Sequence, residues 1–304
     1  MKTKSYSINF KKNCYLTKNY NMIRTLMIIS FLTASALFFS QTQIKVLDEE
    51  TQKPVPYAKL ILQGKNYYIN TEESGTATLG REEEISEIQS YGYENLKVDK
   101  NRNTYFLKPE YFEIDEVQIM RPKLSKKFTI GKKAKEGTFF GVNNTIWMVG
   151  KEFRNIISAE PLFIKSLSFY SMLNAKKSAT IKVNIYYDEN GVPGDLYKSV
   201  IVTCFKKKKL TKYIFSKPFL FPKEGIIIAF EWILNHENSY QKVMTLNGEQ
   251  KEIKAHDPLV GSVTESSKNI IIGNFYGENW QFINGSQNPG KGIGNVGIEL
   301  ELTN

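Results

Sequence analysis

The stretch that decides the fold is Thr42 to Leu79, TQIKVLDEETQKPVPYAKLILQGKNYYINTEESGTATL. Its apolar residues come in short blocks, Ile44 and Val46 first and then Tyr57 to Leu62, separated by Asp48-Glu49-Glu50-Thr51 and Lys53-Pro54-Val55-Pro56. Proline donates no ladder hydrogen bond, so these prolines mark a turn and the start of the next strand. Tyr67 to Thr71 is rich in aromatic and β-branched residues and predicts a third strand. Glu72-Glu73-Ser74-Gly75 then turns the chain into Thr76 to Leu79, a hairpin of the longer-loop kind. Ile85 to Gln89, Tyr93 to Val98 and Thr104 to Leu107 continue the pattern. About seven short strands without helical periodicity predict a small antiparallel β-sandwich.

Beyond it the chain stays β-patterned. Thr180 to Asp188, TIKVNIYYD, alternates, with Ile181, Val183, Ile185 and Tyr187 expected on one side and Lys182, Asn184 and Tyr186 on the other. Ile298, Leu300 and Leu302 alternate with Glu299 and Glu301 in the same way. Ile226 to Leu234, IIIAFEWIL, is apolar on both faces and predicts a central strand. Ile164 to Tyr170, Ser199 to Phe205, Ile214 to Phe219 and Ile270 to Tyr276 supply further strands. The expected fold class is all-β: a small sandwich over residues 41–110, a basic linker over 111–135 that offers one edge strand, and a larger, jelly-roll-like sandwich over 136–304.

Three passages of the first module are specific in combination. These are IKVLDEETQKPVPYAKLIL, with Thr51, Pro54, Val55 and Ala58 at its turn and strand entry; INTEESGTATL, with Gly75 in its hairpin; and IQSYGYENLKV, with Ser90 to Tyr93. Together they resemble the carboxypeptidase regulatory-like domain, a transthyretin-like sandwich common in exported Bacteroidetes proteins, over residues 42–108. Thr71-Glu72 stands where that family usually has Thr-Asp. The passage Leu107-Lys108-Pro109 to Ile119 is similar to the segment that hands this domain on to the next one, notably in outer-membrane nutrient receptors. The several hundred residues that such a receptor's plug and barrel require, at about 10 residues per strand, exceed what remains. The resemblance implies an accessory domain with no catalytic residues of its own, so a peptidase activity does not carry over.

Upstream, Met22 to Ser40 reads MIRTLMIISFLTASALFFS, a basic Arg24, an apolar run and small residues, which predicts a secretory signal peptide within a leader of residues 1–40. Translation is expected to start at Met22, and no transmembrane span is expected once the signal is removed. The run falls short of the roughly 20 apolar residues of a bilayer crossing. Net charge is +10 for the chain, but the leader holds six of the 41 Lys and Arg and no acid, leaving 35 basic against 31 acidic residues after it. Cys14 lies in the leader, so Cys204 stands alone and offers no internal disulfide. Nucleic acid is a poor partner for an exported chain whose Lys206 to Lys209 run lacks interleaved aromatics; that run predicts an exposed hairpin tip.

No catalytic or cofactor signature occurs, and no cofactor is expected. His236 and His256 have neither cysteine partners nor zinc-site spacing. Asp188, Asn190 and Asp195 could ligate calcium, but Asn190-Gly191 after an alternating strand predicts a tight turn without metal. Gly273 to Gly292 combines Tyr276, Trp280 and Phe282 with Asn279, Gln281 and further amides, the flat faces and hydrogen-bonding groups that a sugar site uses. Tyr276, Asn279, Trp280 and Gln281 are the candidate ligand-binding residues, set against the plainer reading in which these rings close the core.

A glycosidase needs two carboxylates about 5 to 9 Å apart, and Glu231 and Glu278 are the pair to inspect. The expected role is non-catalytic: binding or scaffolding at the cell envelope, periplasmic or outer-membrane-associated, with envelope glycan or another envelope protein as partner. The alternatives are a glycan-active hydrolase through Glu231 and Glu278, or a purely structural envelope component.

Overall fold

The computed structural model describes residues 24, 27 and 42–304, apart from 66, 81, 101, 112–121, 123–124, 134–137, 144–145, 156–159, 208, 247, 265–268, 274–279 and 285–293. The leader, expected over residues 1–40, thus lies outside the described residues except for Arg24 and Met27. The chain divides into two compact units, Met1–Gln43 with Thr78–Glu83 and Ile44–Ala77 with Glu84–Asn304. In the first, the Gly80 amide donates to the Glu83 carboxylate at 2.8 Å. The second holds most of the sheet structure, and the fold is all-β, as the patterning predicts.

Seven strands span the first module: β1 (Thr42–Asp48), β2 (Lys59–Leu62), β3 (Tyr68–Asn70), β4 (Thr76–Leu79), β5 (Ile85–Gln89), β6 (Leu96–Lys97) and β7 (Thr104–Leu107). They form a three-stranded sheet, β4-β1-β7, and a four-stranded sheet, β3-β2-β5-β6. Ile44, Val46 and Leu107 of one sheet and Leu60, Leu62 and Ile88 of the other are buried. The expectation of a wholly antiparallel module is corrected at one pairing, because β1 and β7 run parallel from Lys45–Thr104 to Asp48–Leu107. A parallel pair needs a long crossover, and the five intervening strands supply it. Thr71 ties the entry loop to the hairpin: its hydroxyl accepts from the Ala58 amide at 2.8 Å and donates to the Val55 carbonyl at 3.1 Å.

The following strands are β8 (Lys127–Gly131), β9 (Phe139–Phe140), β10 (Met148–Phe153), β11 (Leu162–Met172), β12 (Ser178–Glu189), β13 (Val192–Phe205), β14 (Leu210–Phe221) and β15 (Ile226–Trp232). After them come β16 (Ser239–Leu246), β17 (Glu249–His256), β18 (Leu259–Val263), β19 (Asn269–Gly273), β20 (Trp280–Asn284), β21 (Asn295–Val296) and β22 (Ile298–Thr303). A six-stranded sheet runs β13-β12-β15-β10-β19-β20; the sheet across from it runs β21-β18-β11-β22-β8, with β14 on β11 and β9 on β18. Strand β8 is the edge strand foreseen in the basic linker. Strands β16 and β17 form a separate two-stranded ribbon.

Strand β15 is buried at all seven positions, between β12 and β10. Alternation divides it: Ile226, Ile228, Phe230 and Trp232 enter the core with Ile181, Val183 and Ile185 of β12 and with Leu167, Phe169, Leu300 and Leu302 of the opposite sheet. Phe169 meets Phe230 edge-on, with ring centroids 4.7 Å apart. The other face of β15 carries Ile227, Ala229 and Glu231.

Two sequence expectations change here. Tyr187 keeps the register of Ile185, opposite Ile226 of β15, but it stands where the β12–β13 pairing is irregular and is 38% exposed rather than buried. Nor is Lys206–Lys209 a hairpin tip. Strand β13 pairs with β12 and β14 pairs with β11, so Lys206, Lys207 and Lys209 sit where the chain crosses from one sheet to the other.

Candidate functional site

The face of the six-stranded sheet turned away from the core carries an uncommon row. Register aligns Ile201, Lys182, Glu231, Met148, Gly273 and Trp280 across six strands. Two residues along, Ser199, Asn184, Ala229 and Gly150 form the next row. Charges in mid-sheet need partners, and here one comes from the first module. Lys59 of β2 reaches across, its Nζ 2.7 Å from Glu231 Oε1, while it also lies 4.6 Å above the Tyr68 ring.

The docking that brings Lys59 there is backbone-led. The Asn70 amide donates to the Leu234 carbonyl at 3.1 Å, and the Leu234 amide returns a bond to Asn70 Oδ1 at 2.8 Å. Glu72 accepts from the His236 amide at 2.8 Å. Ile61 and Tyr68 join the core of the larger sandwich.

Glu231, only 4% exposed, has its Oε1 in the ion pair with Lys59 and its Oε2 in a hydrogen bond. Its Oε2 accepts from Asn184 Nδ2 at 2.8 Å, and Asn184 Oδ1 accepts in turn from Ser199 Oγ at 2.7 Å. Burial works against its ionisation, but Lys182, Lys59 and the Asn184 amide outweigh that and bring the carboxyl down to about 2. It is therefore a fixed carboxylate at neutral pH. Burial lowers the Lys182 ammonium, against the pull of Glu231.

Above this floor opens a cleft of about 870 Å³. Its walls are tyrosines: Tyr91 and Tyr93 from the SYGYEN loop after β5, and Tyr186, Tyr187 and Tyr197 from β12 and β13. Tyr187 and Tyr197 lie against each other at 4.6 Å between centroids, and Tyr197 meets Phe219 edge-on at 5.4 Å. Tyr93 donates to Asp48 Oδ2 at 2.9 Å, which fixes its ring; burial and that carboxylate push its hydroxyl up to about 12. Tyr91, by contrast, is 50% exposed. Gln89, Ser90 and Asn95 place polar groups beside the rings, with Glu110 and Asp195 also lining the opening.

The residues singled out in the sequence fall differently. Tyr276, Glu278 and Asn279 lie outside the described residues. Trp280 is half-buried over Gly273 and meets Tyr186 edge-on at 5.6 Å, so it adjoins the cleft wall, while Gln281 and Phe282 are exposed. Asn190 and Gly191, both at positive φ, make the two-residue loop joining β12 to β13; Asp188 accepts the Gly191 amide, and Asp195 belongs to the cleft. Among the described residues no group of three His, Cys, Asp or Glu is arranged to hold a metal ion. His236 is exposed, and His256 is buried with neither ring nitrogen hydrogen-bonded.

Sequence reasoning missed the tyrosines and both lysines, because they come from segments about 100 residues apart and converge only through docking. A local signal did exist. Glu231 in an otherwise apolar strand asks for a buried cation, and Lys182 sits on a strand with an apolar opposite face.

No protein-family model and no curated protein matches the chain. Among solved structures it is similar to the infectious bursal disease virus VP2 subviral particle, at 11% identity and a TM-score of 0.24, over 86% of this chain and 63% of that one. The Gx strain structure of the same virus gives 13% identity, a TM-score of 0.24 and coverage of 86% and 60%. The chain thus spans somewhat under two thirds of those it is compared with. What defines this molecule is its own architecture, two β-sandwiches docked around a tyrosine-walled cleft with a charged floor.

Proposed function

We propose that this chain is an exported, non-catalytic binding protein of the cell envelope, and that it seats a glycan in the tyrosine-walled cleft. The observation that carries the reading is the convergence of Tyr91, Tyr93, Tyr186, Tyr187 and Tyr197 with the amides of Gln89 and Asn95 around one opening of about 870 Å³. Pyranose rings present apolar faces edged by hydroxyls, and aromatic rings with nearby amides meet both. Ligand pockets commonly fall between about 300 and 1,000 Å³. On the same reading residues 42–108 are a carboxypeptidase regulatory-like domain, here contributing one wall of the cleft. Among the described residues no helix is long and apolar enough to cross a membrane.

A second reading, a purely structural component, draws on the docking itself, in which Lys59–Glu231 and Asn70–Leu234 bind the two sandwiches whether or not a ligand comes. The hydrolase reading loses its acid at Glu231, since a carboxyl held near 2 has no proton to give at neutral pH. A glycan array with the intact protein, repeated with Tyr91→Ala and Trp280→Ala, separates these. The expected result is a hit for the intact protein that Tyr91→Ala weakens by about three- to tenfold. Absence of any hit, or hits unchanged in both variants, overturns the glycan reading and favours the structural one.

A further inference from the structure

We infer that the glycan taken by the cleft is acidic, and that its carboxylate or sulfate group is received by Lys182. This rests on the cleft's being a glycan site. The argument is one of hydrogen-bond capacity at the floor. Three ionisable groups meet there, Lys59, Lys182 and Glu231, so the floor sets two lysines against one carboxylate.

Lys59 is accommodated by Glu231 Oε1 at 2.7 Å and by the face of Tyr68. Glu231 Oε2 is taken by Asn184, and the oxygen of Asn184 is taken by Ser199. Both floor groups nearest Lys182, the Glu231 carboxylate and the Asn184 amide, are thus held by other partners. Lys182 Nζ lies 4.0 Å from Glu231 Oε2, beyond hydrogen-bond length, and among the described residues it donates to nothing nearer.

Its side chain is 12% exposed, and it lines the cleft. An ammonium carries three donors, and one held in a largely dry site gains most from an acceptor that is itself charged. Neighbouring side chains do not supply one. Along its row stand Ile201 and, past Glu231, Met148, and in the next row Ser199 and Asn184 are bonded to each other.

Such an acceptor has to arrive within the ligand. The tyrosine walls select a ring-bearing molecule over a bare ion, which leaves an acidic sugar unit, a uronate or a sulfated sugar, with its anionic group toward Lys182. Glu110 and Asp195 at the opening disfavour a densely charged polyanion and favour a single buried acidic group among neutral units.

The test is a calorimetric titration of the intact protein with uronate-containing oligosaccharides, sulfated oligosaccharides and neutral ones of matched length, with inorganic sulfate as the bare-anion control. Acidic oligosaccharides are expected to bind about ten- to a hundredfold more tightly than neutral ones. Whichever acidic arm prevails tells carboxylate from sulfate. Lys182→Gln is expected to abolish the preference for acidic over neutral oligosaccharides, and Lys182→Arg to retain it. If Lys182→Gln does not fold, the salt dependence of the intact protein decides, since acidic binding should weaken with added salt and neutral binding should not. Equal affinity for acidic and neutral sugars overturns the inference and leaves the glycan site standing. Binding of sulfate as tight as that of the sulfated sugar also overturns it, and binding of no sugar overturns the glycan site as well.

Discussion

At the scale of single residues, Glu231 is tolerated in the middle of an apolar strand because Lys59 and Lys182 stand beside it. Removing one partner of a buried pair leaves the other charge stranded, at a cost of about 3 to 5 kcal/mol. Lys59→Met and Glu231→Gln are each expected to lower unfolding free energy in urea by about that amount. The double variant should show a coupling of about 1 to 3 kcal/mol; strictly additive losses would contradict direct contact. The same residues set the acid response. Burial, with Lys254 adding to it, holds the His256 imidazole near 4 in the fold against 6.5 unfolded, and Glu231 lies near 2 against 4.5. Both values are depressed, so the unfolded chain binds more protons within each window and stability falls as pH drops. Stability should be full above pH 6.5, decline from 6.5 to 4 through His256, and decline from 4.5 to 2 through Glu231. Urea unfolding at a series of pH values checks this, and His256→Gln should flatten only the upper window.

At the scale of elements, two glycines at similar φ make opposite demands on space. Gly191, at +87°, has nothing within 4 Å of where a Cβ would stand, so Gly191→Ala should cost only the left-handed conformation, about 1 to 2 kcal/mol. Gly75, at +72°, would set a Cβ 2.8 Å from the Val46 carbonyl oxygen and 2.9 Å from Pro54 Cβ. Gly75→Ala should therefore cost about 1 to 3 kcal/mol more, and thermal unfolding of the two variants compares them directly. Much at this scale was legible in the sequence, because period-two alternation is a local property. TIKVNIYYD announced β12, IIIAFEWIL announced a strand covered on both sides, and Asn190-Gly191 announced the turn between β12 and β13. What escaped depends on pairing between distant segments. The parallel β1–β7 pair, the crossing from β13 to β14 and the exposure of Tyr187 are set by which strand lies alongside, and no window of neighbouring residues carries that information.

At the scale of the whole molecule, the docking of the first module on β15 and the cleft are one arrangement. The β2–β3 hairpin is held at Leu234 by Asn70 and at His236 by Glu72, and this places Lys59 on the floor and Tyr91 and Tyr93 at the wall opposite Tyr186, Tyr187 and Tyr197. Only part of this site could be read beforehand. Glu231 was singled out as a hydrolase carboxylate and Trp280 as a sugar-stacking ring, and they fall on the cleft floor and beside Tyr186 of its wall, whereas the tyrosines of IQSYGYENLKV read as ordinary sandwich residues. Tyr91 and Tyr187 are the informative pair, being exposed, drawn from opposite walls and, among the described residues, without hydrogen bonds of the kind that hold Tyr93 and Tyr197. The most direct measurement is calorimetric titration of the best array ligand into the intact protein and into the Tyr91→Ala, Tyr187→Ala double variant, with both shown to unfold at the same temperature. The account predicts that affinity falls about ten- to a hundredfold while the melting temperature holds; unchanged affinity in a fully folded double variant would contradict it.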